Sequence, residues 1–535
     1  MEQIKKYKFP IMITMLFILN LVLHLFRLGD LPYAINIDEA GLWYNVKSLL
    51  TYGYAQEGKA WPLLFTNYYS EQSAMYTYLA LICCKLFGDS LFVLRLPAVI
   101  NSCLIFIFGA KVTNKLFKNT WITTIYCVFC TIFPYFIINN RIALDCNLML
   151  GFSTVFLYFL ITAIESAKWQ HFLTAGIMGG LVFYTYAISY ITLPIFVAIS
   201  GVYLLINKKI TLKNSIAFLS PIVILGIPLL LIQLINIFEW NEMKLLCFTL
   251  PNLDSPRHAD IALQNIMGHL IVYGRYIFMG EEISLFTSNI FCNNFYLISI
   301  PFLIIGFISI VKIKGFSYKK LILFWLISVF ITLMLIKAGL RGYQTNALMF
   351  GCVVLIIEGL ILIFNKIKME KYKKIFIIVL TILYVVSFGG FCYHYFCGEY
   401  NDNVYLYENS NTDFTEVCAN LKHESNVYCA VKSAYYKLAM TKDPKEHPFI
   451  YERNYDENGE CIALREVIYA DSNFTFDNLG RFLDDIQADS IYVIPLKETK
   501  MIDKMKSHVG FQMDLINQYA IFRPIILDKN VASLS

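Results

Sequence analysis

The chain reads as an α-helical polytopic membrane protein, and three observations carry that reading. Of its 535 residues, 57% are hydrophobic and only 16% charged, too few charges to cover a soluble protein of this size. Apolar runs of spanning length recur until about residue 395. Between them, basic residues gather on one alternating side, as cytoplasmic loops require.

The first run, Phe9 to Phe26, follows Lys5, Lys6 and Lys8, a cationic flank that stays inside. It is as long as a spanning helix and lacks a small-residue cleavage site, so a retained anchor is expected rather than a signal peptide. Further runs lie near 91–110, 121–138, 147–164, 171–188, 190–206, 215–237, 290–311, 321–337, 344–365 and 375–395, giving about 11 transmembrane helices. Alternation places Lys111, Lys115 and Lys118 in the cytoplasm, and with them Lys168 and the group Lys208, Lys209 and Lys213. Lys312, Lys314, Lys319 and Lys320 fall on the same side, as do Lys366, Lys368, Lys371, Lys373 and Lys374. One miscounted span would invert every loop downstream, so the agreement of five basic loops supports the count.

The outer side then holds a first loop at 28–73, a turn at 139–146, a large loop at 238–289, a connection around Gly339–Tyr343, and the tail. The apolar stretch 74–87 is short for a span and reads as an interfacial or re-entrant helix, with a short span as the alternative. The tail changes character: residues 398–535 carry a net charge of −8, the preceding 397 a net of +13. Helical patterns (Phe414–Leu421, Leu479–Ile486) alternate with strand-like runs (Ser490–Pro495, Tyr519–Arg523), which predicts a small exocytoplasmic α/β domain. Two domains follow: 1–397 in the membrane and 398–535 outside.

Several function classes recede. No glycine-rich phosphate loop occurs, which disfavours an ATP-driven pump. The cations serve topology rather than forming a basic stripe with exposed aromatics, so nucleic acid is not an expected partner. The 14 cysteines show no metal-type spacing beyond Cys127 and Cys130, which lie inside an apolar run. Cys392, Cys397, Cys418, Cys429 and Cys461 fall outside and leave one or two disulfides open, with partners undecided.

Ionisable groups close to a bilayer are costly and are functional candidates for that reason. Foremost are Asp38 and Glu39, in Asn36-Ile-Asp-Glu-Ala-Gly41 just beyond the first span, where a base could meet both a lipid-borne and a water-soluble substrate. The plainer alternative is that they cap an interfacial helix. Arg141 and Asp145 are four apart and would share a helical face, either as an ion pair at the outer mouth or as a tether between helix ends. Arg95 opens a span and is able to snorkel to the headgroups. The large outer loop offers Arg257, His258, Arg275, Glu281 and Glu282. Arg341 lies between two spans beside Tyr343, Gln344 and Asn346, and a guanidinium there suits a lipid phosphate.

In order, the chain has Asp38-Glu39 after the first span, Leu86-Phe-Gly-Asp-Ser90 leading to Arg95-Leu-Pro97, Arg141 and Asp145 after the next hairpin, and an outer tail. This set resembles the GT-C glycosyltransferase superfamily and is most similar to the bacterial branch of protein O-mannosyltransferases and the lipid A aminoarabinose transferase. The resemblance implies a polyprenyl-phosphate sugar donor, a membrane lipid, and an exocytoplasmic glycan, lipid or protein as acceptor. It implies Asp38 as general base, Glu39 orienting the acceptor or Asp38, and inversion at the transferred hexosyl or pentosyl carbon. Arg275 and Arg341 would neutralise the leaving phosphate, and Arg141 and Asp145 would order the outer mouth or touch the sugar; Tyr343 and Asn346, beside Arg341, join them as substrate-binding candidates. The family's His/Lys-Pro-rich segment before the second helix is here Ser70-Glu-Gln-Ser-Ala74, which argues against a true protein mannosyltransferase. No metal ligand set is expected, although the two carboxylates could hold a divalent cation without an accompanying His. The alternatives are a transporter or flippase of lipid-linked glycans, or a non-catalytic cell-envelope assembly protein; no internal repeat of the transporter kind is visible.

Overall fold

The computed structural model describes residues 2–32, 35–67, 70–252, 266–281, 293–336, 341–397, 414–431, 434–441, 443–446, 449–455, 461–468, 473–477, 480–517 and 519–525. It divides into two compact units, one of Met1–Tyr33 with Trp61–Glu408, the other of Ala34–Ala60 with Asn409–Ser535. The expected boundary at 398 lies outside the described residues.

The first unit is helical. Its helices are α1 (Glu2–Leu25), α3 (Ala74–Phe87), α4 (Leu96–Phe117), α5 (Thr120–Ile132), α6 (Pro134–Asn139), α7 (Asp145–Ser166), α8 (Trp169–Val182), α9 (Ser189–Ile206), α10 (Leu212–Ile237), α11 (Ile266–Met279), α12 (Ile300–Lys312), α13 (Lys319–Met334), α14 (Met349–Lys366) and α15 (Glu370–Cys392). Each of the eleven expected apolar runs thus contains a helix. Among the described residues, six helical stretches are long and apolar enough to cross a membrane by length and composition. The protein is therefore a multi-pass membrane protein. Two hairpins, β1–β2 (Leu64–Asn67, Ser70–Ser73) and β3–β4 (Met243–Leu245, Phe248–Leu250), complete the unit.

Two local departures from the expected spans have plain causes. The 121–138 run breaks at Phe133, whose backbone is extended, because Pro134 has no N–H to donate and starts α6 in its first turn. The 344–365 run begins with a 3-10 segment at Gly342–Leu348 before α14. Packing is very close between α12 and α14. A Cβ on Gly306 would lie 1.8 Å from the Leu355 carbonyl oxygen, and one on Gly359 would lie 2.0 Å from that of Phe302. Only glycine lets the two backbones approach so far. Where α13 meets α14, the Lys319 ammonium pairs with Glu358 at 2.6 Å, and Ser309 of α12 donates to the other carboxylate oxygen at 3.0 Å. Large apolar side chains of α15, among them Ile378, Val385 and Val386, remain exposed, as a lipid-facing helix requires.

The second unit joins α2 (Ile37–Tyr52) to a seven-stranded mixed sheet. Its strands are β5 (Val427–Cys429), β6 (Phe449–Tyr455), β7 (Cys461–Ile468), β8 (Phe474–Phe476), β9 (Ile491–Pro495), β10 (Phe511–Ile516) and β11 (Tyr519–Pro524), in the order β10-β11-β9-β5-β8-β7-β6. β5 is parallel to β8 and β9; the other pairs are antiparallel. Helices α16 (Phe414–Leu421), α17 (Ala434–Ala439) and α18 (Thr499–Lys506) accompany it. Ile502 and Met505 of α18 pack with Tyr492, Ile494, Ala520 and Phe522 into the core. Of the helical pattern at 479–486, the described residues from 480 on form a 3-10 turn at Arg481–Asp484 and no longer helix. Cys392, Cys397, Cys418 and Cys429 are free thiols.

Candidate active site

The Asn36–Gly41 stretch builds a helix start. The Asn36 side chain accepts the Asp38 backbone N–H at 2.8 Å, and the Glu39 carboxylate accepts the Asn36 N–H at 3.3 Å, a reciprocal capping box. The two carboxylates therefore differ. Glu39 is fully buried and takes part in the cap, whereas Asp38 is half-buried in the first helical turn. The helix dipole favours negative charge at both. Capping, the plainer reading of the pair, describes Glu39.

In the first unit, Arg141 is fully buried, and its fork closes on the end of α1. One terminal nitrogen donates to the carbonyls of Leu23 (2.7 Å) and His24 (2.9 Å), the other to those of Phe26 (2.7 Å) and Leu31 (3.1 Å). Those of Leu23 and His24 are carbonyls that the end of α1 leaves without intrahelical donors, and those of Phe26 and Leu31 belong to the turn that follows. Tyr395 and Phe396 lie against the guanidinium, their ring centres 5.7 and 5.4 Å away. Arg95 is also fully buried rather than snorkelling, and donates to Leu28 (3.1 Å) and Pro32 (3.2 Å). Both arginines thus hold the turn that leaves the first span.

The expected Arg141–Asp145 pair does not form. Residues 140–144 are a turn, so the two positions do not share a helical face. Asp145 instead starts α7, where its carboxylate accepts the backbone N–H of Ser73 at 2.9 Å and of Cys146 at 2.7 Å. Asn346 belongs to a buried polar network: it accepts from the Tyr135 hydroxyl at 2.5 Å and donates to Asn147 at 2.8 Å. Asn147 reaches the carbonyls of Asn139 and Ile142, and Asn101 reaches Asn140 and the Asn147 carbonyl. Asn101 and Asn147 were passed over in the sequence, although an amide inside an apolar run is itself a signal. Glu71 and Gln72 of β2 are buried as well.

The remaining cations differ in their engagement. Arg275 makes a bidentate pair with Glu281 (2.5 and 2.8 Å) on an exposed part of α11. Arg341 is half-buried, and its backbone N–H donates to Gln344, which also accepts from the Tyr273 hydroxyl. Its guanidinium forms no ion pair among the described residues. Tyr343 follows it, half-buried, in the same 3-10 segment. Arg257, His258 and Glu282 lie outside the described residues.

Residues 71–233 match the family model described as dolichyl-phosphate-mannose-protein mannosyltransferase. The structure is similar to that of ArnT from Cupriavidus metallidurans bound to undecaprenyl phosphate: TM-score 0.51, 9% identity, covering 95% of this chain and 97% of that one. It is also similar to the archaeal oligosaccharyltransferase AglB from Archaeoglobus fulgidus, in complex with an inhibitory peptide and a dolichol-phosphate: TM-score 0.56, 11% identity, covering 98% of this chain and 75% of that one. The fold is that of the GT-C glycosyltransferase superfamily. No curated protein matches the chain in sequence.

No group of three or more His, Cys, Asp and Glu side chains is placed to hold a metal ion among the described residues, and Glu39 is engaged in its cap.

Proposed function

We propose that the protein transfers a sugar from a polyprenyl-phosphate-linked donor to an exocytoplasmic acceptor, with inversion and with Asp38 as general base. The observation that carries this reading is the GT-C fold, shared along nearly the whole chain with a structure bound to undecaprenyl phosphate and another bound to dolichol-phosphate. Outside the cell an activated sugar has to arrive on a lipid, and both those structures hold the lipid phosphate that such a donor would leave behind.

In this reading, Asp38 takes the proton of the acceptor hydroxyl or amine as the nucleophile adds to the anomeric carbon. The bond from that carbon to the phosphate oxygen breaks on the opposite side, so the configuration inverts. The phosphate departs as an anion and needs no proton, only positive charge beside it. Arg341, whose guanidinium has no carboxylate partner among the described residues, is the more available cation; Arg275 would first have to leave Glu281. Asp38 then returns its proton to solvent. Glu39 acts through the cap that sets the first turn of α2. Arg141, Asp145 and Asn346 support the outer mouth rather than touching the sugar, since their polar groups already bond within the first unit. In this reading the tail lies on the exocytoplasmic side, with the acceptor.

Replacement Asp38→Asn keeps the shape of the cap and removes the base. It is expected to lower turnover by roughly a hundredfold or more while leaving membrane insertion and melting temperature unchanged. Mass analysis of cell-envelope glycans from Asp38→Asn and parent cells checks this; an unchanged glycan profile overturns the reading. Magnetic resonance of the product distinguishes inversion from retention.

A further inference from the structure

We propose that the C-terminal domain grips the acidic helix α2 and sets its direction, with Tyr52, Tyr54 and Lys445 as positioning residues for Asp38; this rests on Asp38 being the base. Residues Ala34–Ala60 belong to the same compact unit as the tail despite the long stretch of chain between them. Helix α2 packs on α17, and three contacts fasten its far end. The Tyr52 hydroxyl donates to the Thr441 carbonyl at 3.2 Å. The Lys445 ammonium stands 3.5 Å from the centre of the Tyr54 ring. Gly58, in the left-handed region at φ +70, lets the Lys445 side chain pass: a Cβ there would lie 2.9 Å from Lys445 Cγ and 3.9 Å from its Cβ. The Lys445 backbone is itself held by an Asp443 side chain at 2.9 Å.

All these contacts sit at the end of α2 opposite Asp38. A helix rises about 1.5 Å per residue, so the grip lies roughly 21 Å from the carboxylate, and a tilt of about 5° would move Asp38 by roughly 2 Å. Proton transfer tolerates far less, because a misplacement of about 1 Å can cost a hundredfold in rate. The tail therefore governs the geometry of the base without touching the substrate.

The test uses the full-length protein. A pair of cysteines, Gly58→Cys with Lys445→Cys, is spaced for a disulfide and should cross-link on mild oxidation. Gly53→Cys with Lys445→Cys is the control: Gly53 shares the left-handed backbone (φ +76) but has nothing within 4 Å, so it should not cross-link. Lys445→Ala and Tyr54→Leu should each speed amide exchange across α2 roughly two- to fivefold, and Lys445→Arg and Tyr54→Phe should restore it. The envelope glycan lost from Asp38→Asn cells should fall in the Tyr52→Phe/Lys445→Ala double variant, and oxidation should raise it again in the Gly58/Lys445 cysteine variant. Absence of the cross-link, or exchange in α2 indifferent to Lys445 and Tyr54, overturns the proposal while the Asp38 reading stands. Glycans indifferent to Asp38→Asn sink that reading and the positioning role together, even with the cross-link formed.

Discussion

Arg141 and Arg341 carry the same charge in opposite circumstances. Arg141 is buried and donates to four backbone carbonyls, so Arg141→Ala would strand them around a cavity at the end of α1. It is expected to cost about 3 kcal/mol or more, read as a large drop in melting temperature in detergent. Arg141→Lys should recover only part of this, because an ammonium cannot reproduce the fork. Arg341 has no carboxylate partner among the described residues, so Arg341→Gln should leave melting unchanged and raise the KM for a polyprenyl-phosphate donor roughly tenfold. The motif spacing brought both arginines to notice but could not tell them apart. That distinction depends on residues 140–144 forming a turn, and on carbonyls that only the folded end of α1 supplies. Asp38 and Glu39 were legible as a pair. Their division into a half-buried acid and a buried cap follows from helix-start geometry, which the Asn-x-x-Glu spacing itself encodes.

At the scale of elements, a helix forms in every apolar run that hydropathy located, and the pattern failed at the ends. Pro134 breaks one run, and a 3-10 segment opens another; neither changes mean hydropathy, so the span pattern passed over both. The close packing of α12 on α14 was equally invisible, because Gly306 and Gly359 are meaningful only when each faces a carbonyl on the other helix. Gly359→Ala would push its methyl into the Phe302 carbonyl and part α12 from α14. A loss of about 1–3 kcal/mol is expected, measured as a lower melting temperature, with Gly306→Ala behaving alike. Gly201, which has nothing within 4 Å, is the matched control and should tolerate alanine. Lys319 belongs to one of the basic loops that signal topology, yet it also pairs with Glu358, a buried carboxylate that needs such a partner.

At the scale of the whole molecule, the arrangement across the membrane can be read by thiol chemistry. Cys247 and Cys397 are exposed, whereas Cys418 and Cys429 are buried in the second unit, and burial pushes both of those thiols well above the ordinary range. A raised thiol stays protonated, and only the thiolate reacts. A membrane-impermeant maleimide at pH 8 is therefore expected to label Cys247 and Cys397 on intact cells and to spare Cys418 and Cys429 until the protein is unfolded. Labelling of Cys397 only after the membrane is opened would reverse the topology. The tail was legible as an α/β region through its change of charge and its short strands at 491–495 and 519–524. Its union with a segment near the other end of the chain was not, because nothing local in either stretch announces a partner so distant.

That union has a consequence for biogenesis. A ribosome releases residues 34–60 long before it reaches 409, an interval on the order of tens of seconds at ordinary rates of synthesis. Until α17 emerges, the early helix lacks the element it packs on, so on the proposed reading chains cut short before it would insert in the lipid without a positioned base. Catalysis would then wait for the distal part of the chain.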